Sequence, residues 1–188
     1  MIIFRKKSDS IKIISEYLID GKICILPCDT IYGIVGLFPE TENRIRDIKG
    51  RNENKPFIIL SGPEAAGNIF KDEIPDEIKN YWPGPLTLIS YDRNGSTTAL
   101  RVPDDNFLLE ILDIVGKPVF STSVNFSGHD AINDIGTIKK QFHDKVDLIC
   151  EAEEFVPGKA STIIDICKKP YRILRQGACI IPPEILKP

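Results

Sequence analysis

Two histidines, one tryptophan and one methionine are all that 188 residues contain of these types. His129 and His143 belong to no arrangement that pairs a base with a nucleophile, which argues against a Ser/His/Asp hydrolase. His143 falls in a predicted helix as an ordinary surface or packing residue. The five cysteines, Cys24, Cys28, Cys150, Cys167 and Cys179, are odd in number and form no CxxC pair. That pattern argues against a zinc site and against a disulfide framework, and the thiols are expected to be small buried hydrophobes in a reducing compartment. There is no GxxxxGK[ST] loop and no GxGxxG fingerprint, so the common phosphate cradles are missing. No run of about 18 apolar residues occurs, and MIIFRKKSDS lacks the apolar core of a secretion signal. A cytoplasmic protein without membrane contact is expected. The net charge of -3 provides no general attraction for polyanions, so a nucleotide or RNA must meet a local basic patch.

What is present is an ordinary globular balance, 42% hydrophobic and 27% charged, in a length that suits one domain over residues 1–188. Asp9 or Ser8 starts a helix through Ile11, Ile14 and Leu18 that Gly21 ends. Ile23 to Leu26 is an apolar run of buried-strand type, leading into a loop from Pro27 to Gly33. Thr41 starts a second helix that stops near Gly50. Further helices are predicted at Pro75–Trp82, Phe107–Val115 and Ile135–Phe142. Strands are predicted at Phe57–Leu60, Leu86–Tyr91, Thr98–Val102, Pro118–Ser121 and Val146–Cys150, with a hairpin of Ser161–Ile166 and Tyr171–Leu174 around Lys168-Lys169-Pro170. Helices alternate with strands, but several strands follow one another directly, which points to an α/β fold with a mixed sheet.

Small polar and basic residues collect at the ends of these elements, where α/β sheets bind ligands. They are Thr30, Lys49, Arg51, Lys55, Arg101, Ser121, Ser123, Asn125, Ser161 and Arg175. Each has an ordinary alternative. Lys49 can complement a helix dipole, Ser and Asn after a strand are turn formers, an Arg in a strand can sit at an edge, and the basic cluster from Arg44 to Lys55 can be a solvated helix face. Together they describe a site rich in cations and hydroxyls and poor in acids. Such a site suits a ligand with several negative groups, for example a nucleoside triphosphate together with a carboxylate.

Seven blocks in order carry a resemblance along nearly the whole chain: Leu26-Pro27-Cys28-Asp29-Thr30-Ile31-Tyr32-Gly33, Lys49-Gly50-Arg51 with Lys55-Pro56, Trp82-Pro83-Gly84-Pro85-Leu86-Thr87, Leu100-Arg101-Val102-Pro103, Ser121-Thr122-Ser123-Val124-Asn125-Phe126-Ser127-Gly128, Ser161-Thr162-Ile163-Ile164-Asp165 and Leu174-Arg175-Gln176-Gly177. In these the sequence resembles the YrdC-like threonylcarbamoyl-AMP synthase family, in its short form without the extra C-terminal domain. The resemblance implies a single-domain, twisted, open mixed sheet with flanking helices and a concave electropositive face. It implies an L-threonylcarbamoyladenylate synthase, which makes the adenylate and pyrophosphate from L-threonine, bicarbonate and ATP, with Mg2+ on the nucleotide and no protein metal site. The product would go to a threonylcarbamoyl transferase that modifies tRNA. tRNA or double-stranded RNA stands as a further partner class.

By the same resemblance, Lys49 and Arg51 form a Lys-x-Arg signature of catalytic residues. Thr30, Arg101, Ser121 and Ser161 would hold threonine. Lys49, Arg51, Lys55, Thr97, Ser123, Asn125 and Arg175 would hold the nucleotide. Two positions depart from the pattern. Cys28 stands where Thr is usual and weakens any hydroxyl contact there, and Asn52 stands where Pro is usual and removes a stiff turn beside Arg51. Cys28 is not expected to be a nucleophile, because Asp29 beside it disfavours a thiolate. The rival readings are a double-stranded RNA-binding module, an inactive paralogue of the same fold, and a carbamoyltransferase-maturation domain. The last fits less well because such domains sit in much longer chains.

Overall fold

The run Cys24–Pro27 is buried at all four positions, as a central strand covered on both faces must be. It lies near one end of a ten-stranded sheet in this computed structural model, which describes residues 1–51, 55–154 and 158–187. The strands are β1 (Ile2–Phe4), β2 (Cys24–Pro27), β3 (Tyr32–Leu37), β4 (Ile58–Leu60), β5 (Leu86–Tyr91), β6 (Thr97–Arg101), β7 (Val119–Ser123), β8 (Leu148–Glu151), β9 (Thr162–Asp165) and β10 (Arg172–Arg175). Their order across the sheet is β1-β8-β2-β3-β7-β4-β6-β5-β9-β10. The pairs β1/β8, β2/β8, β4/β6 and β5/β9 are parallel and the others antiparallel, so the expected mixed sheet is what forms.

Side chains alternate between the faces of a strand, and two apolar clusters result. Ile25, Ile34 and Phe120 join one, and Cys24, Leu26, Val35 and Val119 join the other. The helices α2 (Glu42–Lys49), α3 (Pro63–Ile69), α4 (Asp76–Lys79) and α6 (Ile135–Phe142) cover the first face through Ile45, Ala66, Ile78 and Phe142. The helices α1 (Ser10–Ile19) and α5 (Asn106–Val115) cover the second through Ile14, Leu18, Leu108 and Leu112. Asp105 starts α5, its carboxylate accepting from the Leu108 N–H. Gly50 ends α2 at φ 59°, and the N–H of Arg51 returns to the carbonyl of Arg46 at 2.9 Å, closing the helix with a Schellman-type bond.

Three expectations need correction. The loop expected to run to Gly33 is shorter, because Tyr32 and Gly33 already pair with Pro27 and Leu26 in the β2/β3 hairpin. The helix expected over Pro75–Trp82 holds only for Asp76–Lys79, with the Trp82-Pro83-Gly84-Pro85 break following. The strands β1 and β3 and the helix α3 were not expected at all.

Candidate functional site

The second apolar cluster draws on β2, β3, β7, β8 and β4 but takes no residue from β5, β6 or β9. On that face the outer half of the sheet is left without a helical cover, and polar side chains occupy it. Leu88 pairs with Leu100, which sets Thr87 opposite Arg101, and Thr87 pairs in turn with Ile163. One row across β6, β5 and β9 therefore presents Arg101, Thr87 and Ile163 on a single face. Ser121 stands between Val35 and Ile58 in the neighbouring strands.

A cavity of about 240 Å³ opens on this face. It is lined by Cys28 and Thr30 from the β2/β3 turn, Gly33 from β3, Arg51, Arg101, Ser121 and Ser123 from strand and helix ends, Ser161 just before β9, and Arg175 from β10. Among the described residues, three arginines border it and no Asp or Glu does. A second cavity of about 200 Å³ is lined by Lys49, Arg51, Lys55, Ser123 and Asn125, among others. Arg51, Thr122 and Ser123 border both. Of the residues singled out from the sequence, Thr30, Arg101, Ser121, Ser161 and Arg175 come together in the first cavity, Lys49, Lys55 and Asn125 in the second, and Arg51 and Ser123 at the junction. Thr97 is not brought in. It begins β6 at the end opposite Arg101, is exposed, and borders neither cavity. Asn52 lies outside the described residues.

The contacts explain how these groups are held. Arg101, 3% exposed, donates through Nη1 to Asp29 Oδ1 at 2.5 Å. Arg175 donates from Nε and Nη2 to the Ser161 carbonyl at 3.0 and 2.9 Å and from Nη2 to the Ser161 hydroxyl at 3.1 Å. Burial first, and the charge of Arg101 second, lower the pKa of Arg175, so the two cations face the same space. The Ser161 hydroxyl also shares a 2.8 Å hydrogen bond with Thr87 Oγ1, which is completely buried.

Lys49 is buried, and its Nζ donates to the Ser123 carbonyl at 2.6 Å, to Asn125 Oδ1 at 2.6 Å and to the Asn125 carbonyl at 3.1 Å. Its three protons are thereby all engaged. Desolvation, and secondarily the charge of Arg51, bring its pKa down to about 8. The Ser123 hydroxyl donates to the same Asn125 Oδ1 at 2.7 Å. Lys49 thus organises the segment after β7 rather than serving only as a charge at the end of α2.

Cys28 is 2% exposed, and burial pushes its thiol up to about 12. The charge of Asp29, the reason given from sequence, acts in the same direction but ranks behind burial and behind the opposing Arg101. A thiol held this way is not a nucleophile. Sequence reasoning gave no role to Asp29 or Thr87, although both stand inside quoted blocks. A lone acid in a block that leads into an otherwise cation-rich site was the signal for the first. Nothing local signalled the second, whose partner lies 74 positions along the chain.

Fixed cations and hydroxyls, with no acid or imidazole among the described residues of the wall, make a site that binds and aligns anions. The family model Sua5_yciO_yrdC, described as telomere recombination, matches residues 16–177. The threonylcarbamoyl-AMP synthase of Pyrococcus abyssi is 30% identical over 183 residues, covering 89% of this chain and 54% of that protein, so the chain spans about half the length of that relative. A putative threonylcarbamoyl-AMP synthase of Methanocaldococcus jannaschii is 29% identical over 188 residues, covering 94% of this chain and 88% of the relative. The crystal structure of P. abyssi Sua5 complexed with L-threonine superposes with a TM-score of 0.84 at 28% identity, covering 94% of this chain and 57% of the other. E. coli YciO, at 22% identity, shares the fold with a TM-score of 0.82 over 97% of this chain and 96% of its own.

Proposed function

We propose, from the premise that this chain belongs to the Sua5/YciO/YrdC family, that it is a threonylcarbamoyl-AMP synthase, converting L-threonine, bicarbonate and ATP to the adenylate and pyrophosphate. The observation that carries this reading is the pair of adjoining cavities with a shared wall at Arg51, Thr122 and Ser123. The first, at about 240 Å³, falls below the roughly 300–1,000 Å³ of pockets for drug-sized ligands and suits an amino acid. The second, with Lys49, Arg51 and Lys55 on its wall, suits phosphates.

In this reading Arg101, Thr30, Ser121 and Ser161 hold threonine. Arg51, Lys55, Ser123, Asn125 and Arg175 hold the nucleotide, with Lys49 setting the Ser123–Asn125 segment. The threonine amine, once deprotonated, adds to carbon dioxide derived from bicarbonate and forms a carbamate. A carbamate oxygen attacks the α-phosphorus of ATP, the bond to the β-phosphate oxygen breaks, and pyrophosphate leaves. Such a transfer needs alignment and charge neutralisation more than a protein nucleophile, and the carbamate needs shelter from bulk water. The described residues offer no group of three His, Cys, Asp or Glu side chains for a metal, and Asp29 is committed to Arg101. Magnesium is read as part of the MgATP substrate, bound through the phosphates.

The adenylate would pass to a threonylcarbamoyl transferase acting on tRNA in the cytoplasm. No helix among the described residues is long and apolar enough to cross a membrane. The test is incubation with ATP, bicarbonate and labelled L-threonine. Labelled threonylcarbamoyl-adenylate with matching pyrophosphate is expected, and pyrophosphate release that does not depend on threonine would overturn the reading.

A further inference from the structure

Arg101 and Asp29 form a buried ion pair, their side chains only 4% and 8% exposed. The pair uses Nη1 of the arginine. Nε of Arg101 is buried without any acceptor, and it is the single side-chain nitrogen or oxygen among the described residues in that condition. Buried donors are nearly always satisfied, so an orphan calls for a cause. A guanidinium presents two flat edges that can grip a carboxylate with two parallel hydrogen bonds, the Nη1/Nη2 end and the Nε/Nη2 side. Asp29 takes one donor of the end, and the unmet demand lies on the side. Asp29 itself does not border the cavity that Arg101 lines. It borders a separate cavity of about 470 Å³ beside Arg5 and Asp105. Whatever Asp29 contributes to a ligand in the first cavity, it contributes through the arginine. It also offsets one of the two cations, Arg101 and Arg175, that face each other there.

We propose that Asp29 is a positioning residue: it pins Nη1 of Arg101 so that the Nε/Nη2 edge receives the carboxylate of the amino-acid substrate. This rests on the functional reading above. With the end of the fork held, the arginine cannot turn to offer that end instead, and the ligand carboxylate is received in one orientation. That orientation fixes which way the amine points, and the amine is the atom that must become the carbamate.

The test is calorimetric binding of L-threonine, L-threoninamide and α,β-methylene-ATP to the wild-type protein, Asp29→Ala and Asp29→Asn. The wild-type protein is expected to prefer threonine over the amide, which lacks the carboxylate. Asp29→Ala should weaken threonine by roughly tenfold or more, as loss of a partner that orients a binding group does, while the amide and the nucleotide analogue change less than about twofold on the same grounds. Asp29→Asn keeps an acceptor for Nη1 and should show the same selective loss to a smaller degree. If alanine does not fold, asparagine decides. Equal weakening of threonine and nucleotide analogue in a folded variant would make Asp29 merely structural, and unchanged threonine affinity would also overturn the proposal. If the wild-type protein itself failed to bind threonine, the functional reading would fall first and this inference with it.

Discussion

Lys49 illustrates how a residue's type can be legible while its task is not. From sequence it is a lysine at the end of a helix, worth about 0.3–1 kcal/mol as a partner of the helix dipole, or a phosphate ligand. In the fold its amine holds Ser123 and Asn125, and its own carbonyl accepts from the Ser127 N–H at 2.8 Å. Arg51, on the far side of Gly50, borders both cavities instead. The two should therefore fail differently. Lys49→Ala removes the donor from three partly buried acceptors and frees the segment that carries Ser123 and Asn125, which is expected to cost about 1–3 kcal/mol in all. Melting temperature and kcat should fall together. Arg51→Ala should lower kcat by at least about a hundredfold if it neutralises charge developing on the triphosphate, with a smaller thermal shift than Lys49→Ala. Steady-state pyrophosphate release beside a thermal melt separates the two, and a Lys49→Ala protein of normal stability would contradict the clamp.

At the scale of elements, Gly177 decides how the end of the chain meets the site. A methyl group there would run into the backbone of Ala160 and Ser161. The close pass lets the Gly177 N–H reach Thr162 Oγ1 at 2.9 Å and the Ala178 N–H reach the Ala160 carbonyl at 2.9 Å. Gly177→Ala must push the strand start carrying Ser161 aside. It is expected to cost about 1–3 kcal/mol and to raise the KM for threonine. Gly67→Ala, in α3 with open space around it, should leave activity alone and add up to about 1 kcal/mol. Urea midpoints and threonine titrations of both variants check this. Equal behaviour of the two would refute the steric account.

The helices α5 and α6 were legible from periodicity, α6 to the residue, because each buries a clean apolar stripe. The strand β1 was not, since it is three residues long with one buried side chain and finds its partner, β8, almost 150 positions later. The strand β3 was missed because Tyr32-Gly33 looks like turn chemistry and reads as the end of a loop. The glycine is there for room: a Cβ on Gly33 would stand 3.1 Å from both Cys28 Sγ and Ser121 Oγ, at the wall of the cavity. Within the site, charge and hydroxyl content could be seen in the motifs, but pairings such as Asp29 with Arg101, 72 positions apart, belong to the topology. Thr97 shows the converse: a strand's two ends carry similar residues, and only the sheet says which end meets the cavity.

The molecule as a whole should be sensitive to alkali. Burial holds the thiols of Cys24, Cys28 and Cys150 protonated, the last two up to about 12, against an ordinary value of 9.0. Their contribution is complete below pH 9. Above it the unfolded chain loses these protons while the folded one keeps them, so stability falls by about 1.4 kcal/mol per pH unit for each thiol. Lys49 works the other way. Its folded value of about 8 lies below the ordinary 10.5, so stability rises with pH between those values at the same rate. Between pH 9 and 10.5 three thiols act against one lysine, so stability falls on balance as pH rises. The urea midpoint at pH 10 is expected well below that at pH 8. Cys150→Ala should flatten the slope, and Lys49→Met should steepen it. Parallel slopes for all three proteins would refute the assignment.

The wall of the first cavity begins at Cys28 and is completed by Arg175 from β10, a strand whose place in the sheet depends on β9 alone. A polypeptide leaving the ribosome therefore has Thr30 and Arg101 in the open long before the groups that must stand opposite them exist. A ligand that needs the whole wall can stabilise only the finished chain, and copies broken off before Arg175 lack the third arginine of the pocket.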